Sequence, residues 1–213
     1  MSGGYGTDAL EVTVSATTGV PSPSSPVNLC NSALVLLGQT PIVSLDDDTD
    51  AARICRIKWP EVRDAVLRQH RWRCLTRRVQ LARRPEPPAW GYLYAFDLPP
   101  DCFRVLEFHS PVQTVVIPAW TIGEHALLTD EPQAFIAYIG YDVREDNISL
   151  FDSTLYAALV ARLAAEMCPP LKSADRFASL WAAYERKLDE AKAAGMLEAS
   201  PVVHSCMTLL SVR

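Results

Sequence analysis

The chain has 213 residues, 49% of them apolar, enough for a buried core in one or two domains and too many for a wholly disordered chain. Twenty Lys and Arg against 25 Asp and Glu give a net charge of −5, which by itself selects no class of partner. The charge is unevenly spread: from Arg53 to Arg84 eleven basic residues stand against two acids, a local +9 that leaves −14 elsewhere.

Residues 1–26 are rich in Gly, Ser, Thr and Pro, with Tyr5, Leu10, Val12 and Val14 as the notable apolar side chains. Alone, such a segment buries too little surface to offset its ordering entropy, so an extended arm is expected. Val12–Leu45 carries no charge, but four prolines break it. Its longest apolar run, Ala33–Leu37, falls far short of the ~20 residues of a membrane span. The start Met-Ser-Gly-Gly-Tyr lacks the basic residues of a signal peptide. A soluble chain without membrane contact is the expectation.

A first helix is predicted over Pro26–Leu37. Ser25 stands at its N-cap, Pro26 suits the first turn, Leu29, Ala33, Leu36 and Leu37 share a face, and Gly38 ends it. Asp46, Asp47, Asp48 and Asp50 favour the positive end of the next helix, and they lack the glycine and distal Glu of a calcium loop. Ala51, Ile54, Cys55, Val62, Ala65 and Val66 carry its period, and Pro60 either kinks it or opens a second helix. From Arg73 the period becomes two, through Leu75, Arg77, Val79 and Leu81. Short strands are predicted at Tyr92–Phe96, Phe103–Phe108, Gln113–Ile117, His125–Leu128 and Ala134–Gly140, with turn residues between them, as in antiparallel hairpins. Asp152 caps a helix over Ser153–Cys168, with Leu155, Tyr156, Leu159, Leu163 and Met167 inward. Ser173 caps the last helix, which has Phe177, Leu180, Trp181, Tyr184, Leu188 and Ala191 on one face and Gly195 as its terminator.

The expected fold class is α+β. An α-helical bundle comes from residues 27–71 and 152–195, an antiparallel β-rich insertion from 72–151, an extended N-terminal arm from 1–26 and a C-terminal tail from 196–213. Leu36, Ile54, Val62, Leu159, Leu163, Leu180, Trp181 and Leu188 are the expected packing positions.

No Gly-rich phosphate loop, H-E-x-x-H or G-x-S-x-G occurs, and His70, His109, His125 and His204 show no ligand spacing. Cys30, Cys55, Cys74, Cys102, Cys168 and Cys206 are scattered without C-x-x-C, so they read as free thiols in a reducing compartment. No enzymatic activity, metal or cofactor is expected. The basic segment has two readings. Arg68, Arg71, Arg73, Arg77, Arg78, Arg83 and Arg84 interleave with Trp72, which suits a nucleic-acid-binding module. The other reading is a solvated face or a surface that docks on acidic protein; the segment crosses from helix into strand, which breaks a continuous basic stripe and favours protein contact over nucleic acid.

Three groups of residues occur in a familiar order. The first is Asn31-Ser32-Ala33-Leu34, Leu37-Gly38 and Ile42-Val43-Ser44-Leu45-Asp46-Asp47. The second is Ala51-Ala52-Arg53-Ile54-Cys55, Trp59-Pro60-Glu61-Val62-Arg63-Asp64, Leu67-Arg68 and Trp72. The third is Arg78, Leu81-Ala82, Tyr92-Leu93-Tyr94, Leu98-Pro99-Pro100-Asp101-Cys102 and Arg104-Val105. Over about residues 28–195 this series resembles the head-to-tail adaptor proteins of tailed bacteriophages, also called tail tubular protein A, and the related adaptors of phage-like gene-transfer particles. After Trp72 the chain has Arg73-Cys74, where the family often has an aromatic residue and Ala. Residues 1–26 are an extension to the pattern.

The resemblance implies a homo-oligomeric ring, usually a dodecamer, assembled in the host cytoplasm and docked beneath the portal protein at the neck of the virion. Double-stranded DNA would pass through its lumen, and a downstream nozzle or stopper protein would sit below. The tail would enter the portal, which assigns Val202, Val203, Met207, Thr208, Leu209, Leu210, Val212 and Arg213 to portal binding; the other reading folds this tail back on its own helices. A cyclic ring needs two different complementary sides on each subunit. The candidate subunit contacts are Arg53, Arg56, Arg63, Arg68, Arg71, Arg73, Arg77 and Arg78, with Asp46, Asp47 and Asp48 of opposite sign. A ring through which DNA slides should neutralise few phosphates, so these arginines are expected at contacts or facing outward rather than lining the bore.

Overall fold

The computed structural model describes residues 25–111, 118–171 and 174–197. Among these, four α-helices and six strands form a mixed α+β fold. The helices are α1 (Pro26–Leu36), α2 (Asp50–Gln69), α3 (Ser153–Met167) and α4 (Phe177–Leu197). The strands are β1 (Thr76–Gln80), β2 (Tyr94–Asp97), β3 (Cys102–His109), β4 (Trp120–Gly123), β5 (Ala126–Thr129) and β6 (Phe135–Gly140).

Local chemistry sets the helix boundaries. Ser25 Oγ accepts from the Val27 N–H at 3.2 Å, and Gly38 at φ 72° supplies the left-handed exit from α1. Asn31 then clamps the connecting loop: its amide donates to the Ile42 carbonyl at 2.9 Å and accepts from the Ile42 N–H at 2.8 Å. The cap of α2 is Thr49, whose hydroxyl accepts from Ala52 N–H at 3.2 Å. Of the aspartates before it, Asp47 instead holds the turn, accepting from the N–H groups of Val43 and Ser44. Pro60 lies inside a single α2; it faces solvent, while buried Trp59 and Val62 anchor the helix around it. Asp152 caps α3, accepting from the N–H groups of Thr154 and Leu155 at 2.9 and 2.8 Å.

Helix α3 is the hub, packed against α1, α2 and α4. Leu155, Leu159, Leu163 and Met167 are fully buried along it, each side chain contributing roughly 1.5–3 kcal/mol by transfer from water. At the α3–α4 seam the Arg162 guanidinium lies 5.2 Å from the rings of both Trp181 and Tyr184, and the Tyr184 hydroxyl reaches across to Gln69 at 2.9 Å.

The strands form two three-stranded antiparallel sheets, ordered β1-β6-β3 and β2-β5-β4. β6 divides two cores by its two-residue period. Ile139 joins the helix core, while Ile136 and Tyr138 point into a smaller core with Leu81, Phe96 and Leu127. An isolated bridge between Arg83 and Phe96 joins the chain beyond β1 to β2 of the second sheet.

Several expectations are corrected. Leu36 and Phe177 were assigned inward but are 45% and 39% exposed. Gly195 does not terminate α4, which continues to Leu197, since Gly195 lacks the positive φ of a C-terminal cap. β4 was not expected. Glu124 and His125, at φ 50° and 57°, make a tight left-handed turn between β4 and β5 without the usual Asn-Gly, so His125 belongs to the turn rather than to the strand. The strand expected at Gln113–Ile117 and the Ser173 cap lie outside the described residues, as do residues 1–24.

Candidate functional site

The basic segment unfolds across α2, a 3-10 turn at Arg73–Leu75, β1 and the chain beyond it. Most of its charges are already partnered within the chain. Arg53 pairs with Asp50 at 3.0 Å and Asp48 at 3.6 Å, and Arg56 with Asp46 at 3.6 Å. Four of the expected contact residues, Arg53, Arg56, Asp46 and Asp48, therefore pair with one another within the chain. Arg71 pairs with Glu107, Arg77 with Asp101 at 2.5 Å, and Arg84 with Asp97 at 2.6 Å. Arg68 lies over the Phe103 ring at 4.9 Å, and its carbonyl accepts from Arg104. Arg83 lies over Tyr94 at 3.9 Å.

Arg63 is not a surface residue. Its side chain is 7% exposed, and its guanidinium donates to Asp146 and Asp64, each at 2.8 Å. Burial disfavours its charge, but these two carboxylates outweigh that cost and hold its pKa above the ordinary value. Asp146 collects two further donors, Trp59 Nε1 at 2.6 Å and the Tyr141 hydroxyl at 2.6 Å. This network ties α2 to the loop after β6, so Arg63, expected at a contact surface, is largely buried within the fold.

Arg73 and Arg78 remain. Both are exposed, and among the described residues neither has an ion-pair partner. They open into a cleft of about 420 Å³, lined by His70, Arg71, Arg73, Thr76 and Arg78 on one wall and by Gly195 and Met196 of α4 on the other. His70 stands edge-on to buried Trp72, with ring centroids 5.1 Å apart. Burial, with help from nearby Lys192, pushes the His70 pKa below its usual value. Arg71 holds Glu107 from the same wall, and that pairing, with the nearby charge of Arg78, lowers the Glu107 pKa.

The sequence pattern missed the cleft because its walls come from segments over a hundred residues apart, and Lys192 and Met196 carry no local signal. The portal-binding candidates Val202, Val203, Met207, Thr208, Leu209, Leu210, Val212 and Arg213 lie outside the described residues. Among the described residues no three His, Cys, Asp or Glu side chains gather to hold a metal. Cys30, Cys55, Cys74 and Cys102 are free thiols. No described helix is long and apolar enough to cross a membrane.

No protein-family model and no curated protein matches the chain.

Proposed function

We propose that the chain is a head-to-tail adaptor of a tailed bacteriophage or a phage-like gene-transfer particle. Its copies form a ring beneath the portal at the neck of the virion, join capsid to tail and enclose part of the DNA channel. The four packed helices are the bundle of each subunit, the two sheets are its insertion, and the terminal arms reach its neighbours. It acts as a structural part rather than an enzyme.

The observation that carries this reading is the ordered motif series, whose residues coincide with the contacts that set the fold. Asn31 clamps Ile42, Asp47 holds the Val43–Ser44 turn, Trp59 donates to Asp146, and Trp72 Nε1 donates to the Val66 carbonyl at 3.0 Å. Asp101, at the end of Leu98-Pro99-Pro100, takes Arg77 and the Tyr138 hydroxyl. These are framework positions, the kind of residue that related subunits of one fold would share. The neutralised arginines also count against the nucleic-acid-binding alternative, because a duplex needs a track of free cations.

The test is genetic. Particles assembled without the chain should give filled heads that lack tails and leak DNA, and supplying the chain in trans should restore them. Normal tailed particles in its absence would refute the assignment.

A further inference from the structure

We propose that the cleft between the 73–78 segment and the C-terminal end of α4 is a docking site for a carboxylate-rich segment of a partner protein, gripped by Arg73 and Arg78. The inference rests on the reading of the chain as a portal-docked subunit and gives that partner surface its chemistry.

The leftover charge comes first. Arg53, Arg56, Arg71, Arg77 and Arg84 each hold a carboxylate of this chain, which leaves Arg73 and Arg78 as the basic pair facing the cleft with no ion pair among the described residues; Arg78 feels the charge of Glu107 without bonding to it. A guanidinium fork matches a carboxylate with two parallel hydrogen bonds, as charge-assisted contacts that neutral donors cannot equal. The dimensions come second. A space of about 420 Å³ accepts one or two acidic side chains with their backbone. A duplex would have to lie across a row of unpaired cations, and the flanking arginines are already neutralised.

The electrostatic setting agrees. His70 faces Lys192 of α4, itself 3.8 Å from Asp189, and shares its wall with Arg71, Arg73 and Arg78; Glu107 on β3 is occupied by Arg71. Burial first, and then the positive field of Lys192, hold the His70 pKa below its usual value. A carboxylate entering the cleft reverses that field and favours the imidazolium, so docking tightens as the pH falls. Position is the last point. Gly195 and Met196, near the C-terminal end of α4, form the opposite wall.

Calorimetric titration of the full chain tests this, with a capped hexaglutamate peptide as probe and a short duplex DNA as comparison at the same ionic strength. Hexaglutamate should bind more tightly than the duplex. Arg73→Glu and Arg78→Glu should each weaken it about tenfold, the loss of one charge-assisted contact. Arg53→Glu should leave it unchanged, and His70→Gln should remove the gain in affinity on lowering the pH. If either charge reversal disturbs folding, Arg73→Gln and Arg78→Gln replace it. Hexaglutamate that fails to bind, or binds the Arg73→Glu/Arg78→Glu variant as well as the native chain, overturns the proposal. A duplex that binds more tightly and is lost through the same two substitutions overturns it in favour of nucleic acid. Ring formation is read separately by sedimentation. A chain that forms rings but ignores hexaglutamate loses the cleft and keeps the adaptor reading.

Discussion

Removing the Asp146 carboxylate should be among the most damaging single changes away from the apolar core. Three donors converge on it: Trp59 Nε1, Arg63 Nη1 and the Tyr141 hydroxyl, at 2.6, 2.8 and 2.6 Å. The Arg63 side chain is 7% exposed and that of Asp146 20%, so the pair is screened little by solvent. Breaking a buried pair by removing one partner costs about 3–5 kcal/mol, because the other charge is left without compensation. Asp64 still accepts from Arg63 Nε, which places Asp146→Asn near the lower end, about 3 kcal/mol. Asp146 also sits at φ 46°, a conformation that Asn adopts readily and Ala does not, so Asp146→Ala should cost roughly 1 kcal/mol more. For a chain of this length, 3 kcal/mol lowers Tm by roughly 6–12 °C. Urea unfolding followed by circular dichroism, with linear extrapolation to water, measures the difference. The double variant Arg63→Met/Asp146→Asn should recover part of the loss, since it removes the orphaned charge. An Asp146→Asn variant within about 0.5 kcal/mol of the native chain, a surface-like effect, would refute the reasoning. So would a double variant that simply adds the two losses.

Leu163→Ala, at a fully buried site on α3, should cost about 2–5 kcal/mol in the same assay, and a native melting curve would remove Leu163 from the core. Asp152→Ala should cost about 1 kcal/mol through the lost α3 cap. Burial works to raise the Asp152 pKa, but the N–H groups of Leu155 and Thr154 and the hydroxyl of Thr154 outweigh it and hold it below the usual value. Its contribution is therefore full above the unfolded pKa near ~4 and lost as pH falls through the lower folded value, so Asp152→Asn should flatten the stability profile below pH ~4. Deleting residues 201–213 should leave the subunit folded by circular dichroism yet abolish portal attachment. A truncated chain that docks normally, or one that fails to fold, contradicts the assignment of the tail.

What the sequence disclosed followed from how locally each feature is determined. The Ser25 cap, the Gly38 exit and the Asp152 cap act over three residues or fewer, and each was readable as written. The inward face of α3 was readable because its apolar side chains keep a 3.6-residue period. The β4–β5 hairpin was obscured because Glu124 and His125 adopt a conformation for which neither residue type is a signal. The role of Arg63 was hidden for another reason. It is set by Asp146, 83 residues away, so in sequence Arg63 looks like any other cation of the basic segment. The cleft was hidden likewise, since pairing across the fold decides which arginines remain free.

The central claim is the ring beneath the portal, and electron microscopy of the neck isolated from particles tests it most directly. The account predicts a closed ring of copies of this chain seated on the portal, with Arg73 and Arg78 turned toward protein and few arginines of the 53–84 segment lining the bore. Isolated subunits bound tightly to duplex DNA, with an affinity that falls steeply as salt rises, would contradict it.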